Sequence, residues 1–392
     1  MDGQHHLQAA ADANPTSVAL IVGATGMAGV SLAEALKLPT APGAPWVVYG
    51  AASRPPPSWF PASAALDGFV QVDALDAGDT REKLSPLSGR VTHLFWVARQ
   101  SLGSEEANVA ANTAMLANVL DALVASTPGS GRLRHVSLQT GTRHYMGPIF
   151  DPAFAQHFTL LREPPFREEY PRLPFPCFYY DQEDLLASHP GGFTWSVHRS
   201  SVIFGASSRS THNSLLTLSA YATICRHEGS PFRFPGTAYT WGHFCDASDA
   251  SQLAGQQIWA ATTPAARNQA FNCTNGDVVT WKSLWRALAD ALAVEFVPFS
   301  PGDEEEGEWW AGRMREKGPV WDAIVETHGL HRTRLEDVTC FEAAQVVMNF
   351  PFQHVSSMNK SRGFGFHGYV DTLKSVRKWV QRYRDMNILP QI

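Results

Sequence analysis

Lysine is scarce in this 392-residue chain, and its distribution matters more than its count. Seven of the 31 basic residues are lysine (Lys37, Lys83, Lys282, Lys317, Lys360, Lys374 and Lys378), the remaining 24 are arginine, and no lysine lies between Lys83 and Lys282. Chemistry in that half of the chain has to proceed without a lysine amine. Positive charge is in deficit overall as well. With 31 basic against 37 acidic residues the net charge is −6, which argues against nucleic acid or an anionic membrane as a partner, because both need a concentrated positive field. No apolar run approaches the roughly 18 residues of a membrane-spanning helix, so no membrane partner is expected.

Other absences narrow the class further. The five cysteines (Cys177, Cys225, Cys245, Cys273, Cys340) are odd in number, scattered and never spaced C-x-x-C. They are expected to be buried or free thiols in a reducing compartment. Residues 1–16 have no apolar segment of the kind a secretory signal needs and are expected to form a flexible N-terminus, which makes the cytoplasm the expected location. There is no G-x-S-x-G nucleophile elbow, which argues against an esterase. His328 and His331 have no Cys, Glu or Asp cluster in metal spacing beside them, so they read as surface histidines and no metal is expected.

What is present is ample apolar material: 44% hydrophobic and only 17% charged residues, enough to bury a large core. The length suggests two or three domains or lobes. Ser17–Val22 (SVALIV) is a continuous apolar run ending in glycine, as in a parallel strand buried on both faces. Strand candidates recur at Trp46–Tyr49, Gly68–Val72, around Phe95, near Val136 and near Val197, with helical spacing between them, including a stretch over residues 107–126. That rhythm predicts βαβ units and an α/β, Rossmann-type doubly wound parallel sheet over residues 17–205. Residues 206–392 are expected to form a smaller, mainly helical lobe for substrate, with some segments returning to the sheet. Within it, Asn275-Gly276 reads as a turn, residues 303–310 as an acidic loop or helix start, and the twelve tryptophans as core.

The motif with the clearest chemistry is Gly23-Ala24-Thr25-Gly26-Met27-Ala28-Gly29, which closes the first predicted strand and opens the first helix. Its glycines allow a tight turn and close approach to a pyrophosphate, and the helix start offers free N–H groups. A ligand-free glycine turn is the competing reading, and the strand–turn–helix context favours a dinucleotide. At the end of the second strand, where a carboxylate would receive the ribose hydroxyls of NAD, the chain has Ser53-Arg54 instead. Arg54, helped by Ser53, suits a 2′-phosphate, which favours NADP(H); the alternative is an ordinary surface cation. Asp73 suits an adenine amino group or is a plain turn aspartate.

A dehydrogenase on this fold commonly uses a tyrosine with a lysine four residues on. Four residues after Tyr179 and Tyr180 stand Glu183 and Asp184, so that spacing fails. A resemblance supplies what spacing does not. Leu138–Pro148 (LQTGTRHYMGP), PRLPFPCFYYDQEDLL, WSVHRSSVIFG, YATICRHEG and FNCTNGDVVTWKSLW are similar to the progesterone 5β-reductase and iridoid synthase family, and the likeness runs from about Val18 to the terminal NILP. These are atypical short-chain dehydrogenases that reduce activated carbon–carbon double bonds of enones with NADPH. The resemblance implies Tyr179 as the acid–base tyrosine, with its lysine drawn from the earlier Thr-Gly-x-Lys-His-Tyr motif, a position held here by Arg143. It also implies cofactor contacts from Gly23, Thr25, Gly26, Met27, Ser53, Arg54, Asp73, Ala98, Thr140, Arg143, Tyr179 and Ile203.

Two departures bear on activity. Arg143 keeps a positive charge for the nicotinamide ribose and for anionic character on Tyr179, but arginine does not release its proton, so a lysine-type relay is closed. Ala98-Arg99 stands where steroid-reductase-like members carry Thr-Trp, which exchanges an aromatic wall for a cation and implies a polar or anionic substrate, unless Arg99 points to solvent. Tyr145, with His144, follows Arg143 and is expected either to line the pocket or to pack in the core. The expected activity is 1,4-reduction of an enone or enal, with Tyr179 donating to the carbonyl oxygen. The alternatives are a 1,2-carbonyl reductase, a non-reducing cyclase or isomerase, or a silent NADP-binding protein, acting as a monomer or homodimer.

Overall fold

The computed structural model describes residues 17–57, 66–124, 132–150, 154, 160–208, 212–302, 307 and 309–391. The expected N-terminal segment and most of the acidic stretch at 303–308 lie outside them. Six strands follow in chain order: β1 (Ser17–Val22), β2 (Trp46–Ala52), β3 (Gly68–Gln71), β4 (His93–Trp96), β5 (His135–Gly141) and β6 (Thr194–Ser200). With Gln269–Cys273 they build one seven-stranded sheet, spatial order (Gln269–Cys273)-β6-β5-β4-β1-β2-β3, every pairing parallel. The doubly wound parallel sheet expected from the sequence is therefore present, and the segment that closes one edge comes from the C-terminal half. The apparent single strand TWSVHRSSVIFG is two: β6 ends at Ser200 and Ile203–Phe204 leaves the sheet to pair with Ser248–Asp249.

The period of two in β1 divides the core. Val18, Leu20 and Val22 face one layer, in which α2 (Ala77–Leu84), α3 (Glu105–Leu123) and Leu186 of α5 (Phe178–Ser188) cover the sheet. Ala19 and Ile21 face the other, under α1 (Met27–Leu36) and α7 (Ala250–Thr262). Between them in sequence, α4 (Arg143–Met146) is one turn after β5, and α6 (Ser214–Glu228) opens the lobe. The lobe is completed by α8 (Trp281–Leu292), α9 (Phe341–Met348) and α10 (Thr372–Asp385), which close around an aromatic centre where Phe232 stacks on Trp285 at 4.0 Å. Trp281, Trp285, Trp310, Trp321 and Trp379 are all buried in that core, whereas Trp309 is exposed. Among the described residues no helix is long and apolar enough to cross a membrane, and all five cysteines are unpaired.

A polar row crosses the sheet under α7. His135 places Nδ1 2.9 Å from Thr194 Oγ1 and Nε2 2.9 Å from Ser196 Oγ. The same Ser196 oxygen lies 2.9 Å from His198 Nε2, and His198 Nδ1 is 2.8 Å from Gln256 Oε1. Parallel strands read as apolar runs, and this row is the exception, tolerated because each imidazole nitrogen has a partner.

Candidate active site

With β1 flanked by β2 on one side and β4 on the other, the chain order reverses at β1, and a crevice opens beyond the carboxyl ends of these strands. A cleft of about 680 Å³ occupies it, within the range of small-molecule sites. Its first part is the turn between β1 and α1. Gly23 has φ +95°, and a Cβ there would lie 2.7 Å from the Ala98 nitrogen. A Cβ on Gly29 would lie 2.3 Å from the Gly23 carbonyl oxygen, so glycine is what lets α1 start against the turn. The N-cap of α1 is Gly26, no side chain caps it and no acidic residue occupies its first turn. By contrast α2, α3, α6, α7, α8 and α10 each begin with a side chain bonded to a backbone N–H. The uncapped N–H groups and the glycine cradle fit the pyrophosphate of a dinucleotide.

The expected residues are largely brought together. Gly23, Thr25, Gly26, Met27, Ser53, Asp73, Ala98, Arg99, Arg143, Tyr179 and Ile203 all line the cleft. Arg54 is exposed next to Ser53 at the end of β2, just off the wall, and makes no ion pair with a described residue. Asp73 spends one carboxylate oxygen on its own turn, accepting from the Leu75 N–H at 3.0 Å. Thr140 is buried beside Gly141 rather than on the wall, and its hydroxyl has no partner among the described residues. Tyr145 is corrected from pocket to core. It is 1% exposed, its hydroxyl donates to Asn272 Oδ1 at 2.6 Å and accepts from Arg199 Nη1 at 3.2 Å, and its ring stacks on Phe166.

The structure separates the two adjacent tyrosines. Tyr180 donates to the His144 carbonyl at 2.7 Å and accepts from the Leu173 N–H at 3.1 Å, so its hydroxyl is consumed in the core. The Tyr179 hydroxyl has no hydrogen bond to a described residue and faces the cleft wall over Gly141, where a Cβ would lie 3.3 Å from it. Glu183, four residues on, belongs to a buried cluster. It accepts from Arg199 at 3.2 Å and sits 3.6 Å from His144 Nδ1, and these groups together with Arg172 hold its carboxyl below its ordinary range despite burial.

Arg143 brings a partner that the sequence reading did not single out. Its Nη2 donates to Glu105 Oε2 at 2.5 Å, and both side chains are largely buried, 12% and 4% exposed. Burial works against the guanidinium's charge, but Tyr179 and Glu105 outweigh it and hold the proton more firmly than usual. Glu105 also accepts from the Phe178 N–H at 3.1 Å and from Asn108 Nδ2 at 3.2 Å. One carboxylate thus ties α3, α4 and the start of α5 together, and it compensates the charge expected to act on Tyr179. A signal existed: Ser104 followed by Glu105-Glu106 is a helix start, with Ser104 Oγ accepting from the Ala107 N–H at 3.2 Å.

The second part of the cleft is walled by Met146, Ile149, Phe150, Val346, Val347 and Phe350. The loop after β4 enters here and is fastened by α3. Gln100 N–H donates to Asn112 Oδ1 at 2.8 Å, Asn112 Nδ2 donates to the Gln100 carbonyl at 2.9 Å, and Leu102 N–H donates to Asn108 Oδ1 at 2.7 Å. Among the described residues no group of three or more His, Cys, Asp or Glu side chains is placed to hold a metal.

Comparison with known proteins gives a consistent picture. The model of the PRISE-like Rossmann-fold domain matches residues 19–390. An (S)-8-oxocitronellyl enol synthase from Camptotheca acuminata is 44% identical over 377 residues, covering 95% of this chain and 93% of that protein. A 3-oxo-Δ(4,5)-steroid 5β-reductase from Arabidopsis thaliana is also 44% identical over 377 residues, with the same two coverages. Among solved structures, a UDP-glucose 4-epimerase from Thermus thermophilus in complex with NAD superimposes with a TM-score of 0.58 at 15% identity, over 94% of this chain and 99% of that one. That last likeness speaks to the fold.

Proposed function

The chain belongs to the PRISE-like Rossmann-fold family, and on that premise we propose that it is an NADPH-dependent reductase of activated carbon–carbon double bonds, acting on an enone or enal. The observation that carries this reading is the Tyr179 hydroxyl, set on the cleft wall with no hydrogen-bond partner among the described residues, on the same cleft as the dinucleotide cradle. A phenol so placed is available to donate to a substrate carbonyl oxygen, where negative charge builds as the double bond is reduced. NADPH held at the cradle of Gly23, Thr25, Gly26 and Met27 would supply a hydride for the β-carbon, and water would supply the proton at the α-carbon, which would leave a saturated carbonyl compound. Glu105 offsets the charge of Arg143 beside Tyr179. The preference for NADP(H) rests on Ser53 and Arg54, exposed at the end of β2 where no carboxylate stands.

The test is NADPH oxidation over a panel of small enones and enals, with product identification. Saturated ketone or aldehyde is the expected product. An allylic alcohol would move the assignment to 1,2-carbonyl reduction, and conversion without NADPH consumption to non-redox chemistry. Tyr179→Phe is expected to lower turnover by about 100-fold or more, the scale of a lost acid–base group; unchanged turnover would remove Tyr179 from the reaction.

A further inference from the structure

The charges lining the cleft do not cancel where substrate would sit. Among the described residues, the charged side chains on its wall are Asp73, Arg99, Glu105, Arg143 and Glu342. Arg143 and Glu105 neutralise each other. Glu342 is held by Arg315 at 3.0 Å on the outer surface. Asp73 lies at the end of β3 on the dinucleotide side. Arg99 remains, with no hydrogen bond or ion pair to a described residue.

Its neighbours offer no anion. His212 is kept neutral, its pKa pulled down to about 3 by burial and by the charge of Arg99. The Cys340 thiol is pushed up by burial against the opposing pull of Thr217 and Arg99, so it too is uncharged. The backbone that carries Arg99 is fixed, because Gln100 is bonded in both directions to Asn112 and Leu102 is bonded to Asn108. A guanidinium on a fastened loop, exposed at the rim of the cleft and with no counter-charge among the described residues, is a ready partner for a planar anion. Met146, Ile149, Phe150 and Phe350 give the same cleft an apolar wall.

Resting on the reductase reading, we propose that Arg99 makes this cleft selective for an enone or enal that carries a carboxylate or a similar anionic group, with the apolar wall taking the carbon skeleton. The guanidinium would pair with the anion, a contact that an uncharged analogue lacks.

The matched probes are (E)-4-oxo-2-pentenoate and its methyl ester, which share one enone and differ by one charge. Each is measured in two ways: by kcat/KM with NADPH, and by calorimetric binding to protein saturated with NADP+. The acid should exceed the ester by about tenfold or more in both, the scale of one charge-assisted pair. Arg99→Gln should bring that ratio to about one, Arg99→Lys should restore part of it, and the NADP+ affinity of Arg99→Gln should stay within about twofold of the parent. Equal binding of acid and ester by the parent protein overturns the proposal. So does a loss of NADP+ affinity in Arg99→Gln, which would make Arg99 a cofactor contact. Selective binding of the acid with no NADPH oxidation upholds the anion site and overturns the reductase reading instead.

Discussion

At the scale of single residues, the site turns on which polar atoms are already occupied. Tyr179 and Tyr180 are adjacent and chemically identical, and only the bonds of Tyr180 to His144 and Leu173 separate a structural phenol from an available one. No spacing rule could have told them apart; the resemblance singled out Tyr179, and the structure shows which of the two hydroxyls is already bonded. Arg143 shows the converse. Its presence in place of lysine was legible, but its charge is half of a pair, because the carboxylate that compensates it sits 38 residues earlier on another helix. Glu105→Gln removes the negative charge and leaves the guanidinium uncompensated beside Tyr179. We expect activity to fall by about tenfold or more, since a largely buried cation is left without its partner. Unchanged activity would reduce Glu105 to a purely structural tie. A melting curve of the same variant separates this effect from simple loss of folding.

At the scale of elements, α1 is placed by close approach rather than by side-chain packing. The Gly29 position leaves no room for a Cβ against Gly23 and Ala24, so Gly29→Ala must push the helix start away from the turn. The expected cost is about 1–3 kcal/mol in a urea titration, as for other overpacked sites. NADP+ affinity should fall as well, because the same displacement moves the uncapped N–H groups. This part of the fold was readable: Ser17–Val22, the glycine turn and the helix after it follow from an apolar run, three glycines and a helical period. The break after Ser200 was not. TWSVHRSSVIFG is uniformly strand-like, and Ile203–Phe204 leaves the sheet because it pairs with Ser248–Asp249, a partner some 45 residues away that local pattern cannot reveal. Tyr145 was misplaced for a related reason. It follows Arg143 in the chain, but its direction is set by Asn272 and Phe166, which lie far off in sequence.

At the scale of the whole molecule, burial of neutral imidazoles sets the response to acid. Burial depresses the pKa of His93 to about 4, of His135 to about 3 and of His198 and His354 to about 4. All four titrate at 6.5 when unfolded, so the unfolded chain takes up protons that the folded one refuses, and stability falls as pH drops from about 6.5 towards 4. Asp246 opposes this. Burial raises its carboxyl to about 7, so the folded state holds one proton more between pH 4 and 7, but one carboxyl does not balance four histidines. The urea midpoint should therefore drop steeply between pH 6.5 and 4.5; a flat profile would mean that these rings are not buried neutral. The polar row across the sheet carries a stricter consequence. Gln256 Nε2 donates to the Asn272 carbonyl at 3.0 Å, which leaves Gln256 Oε1 able only to accept and obliges His198 to carry its hydrogen on Nδ1. Its Nε2 is then left to accept the single hydroxyl hydrogen of Ser196. His198 is thus held as the Nδ1–H tautomer, and nitrogen-15 spectroscopy of the folded protein should find its hydrogen there.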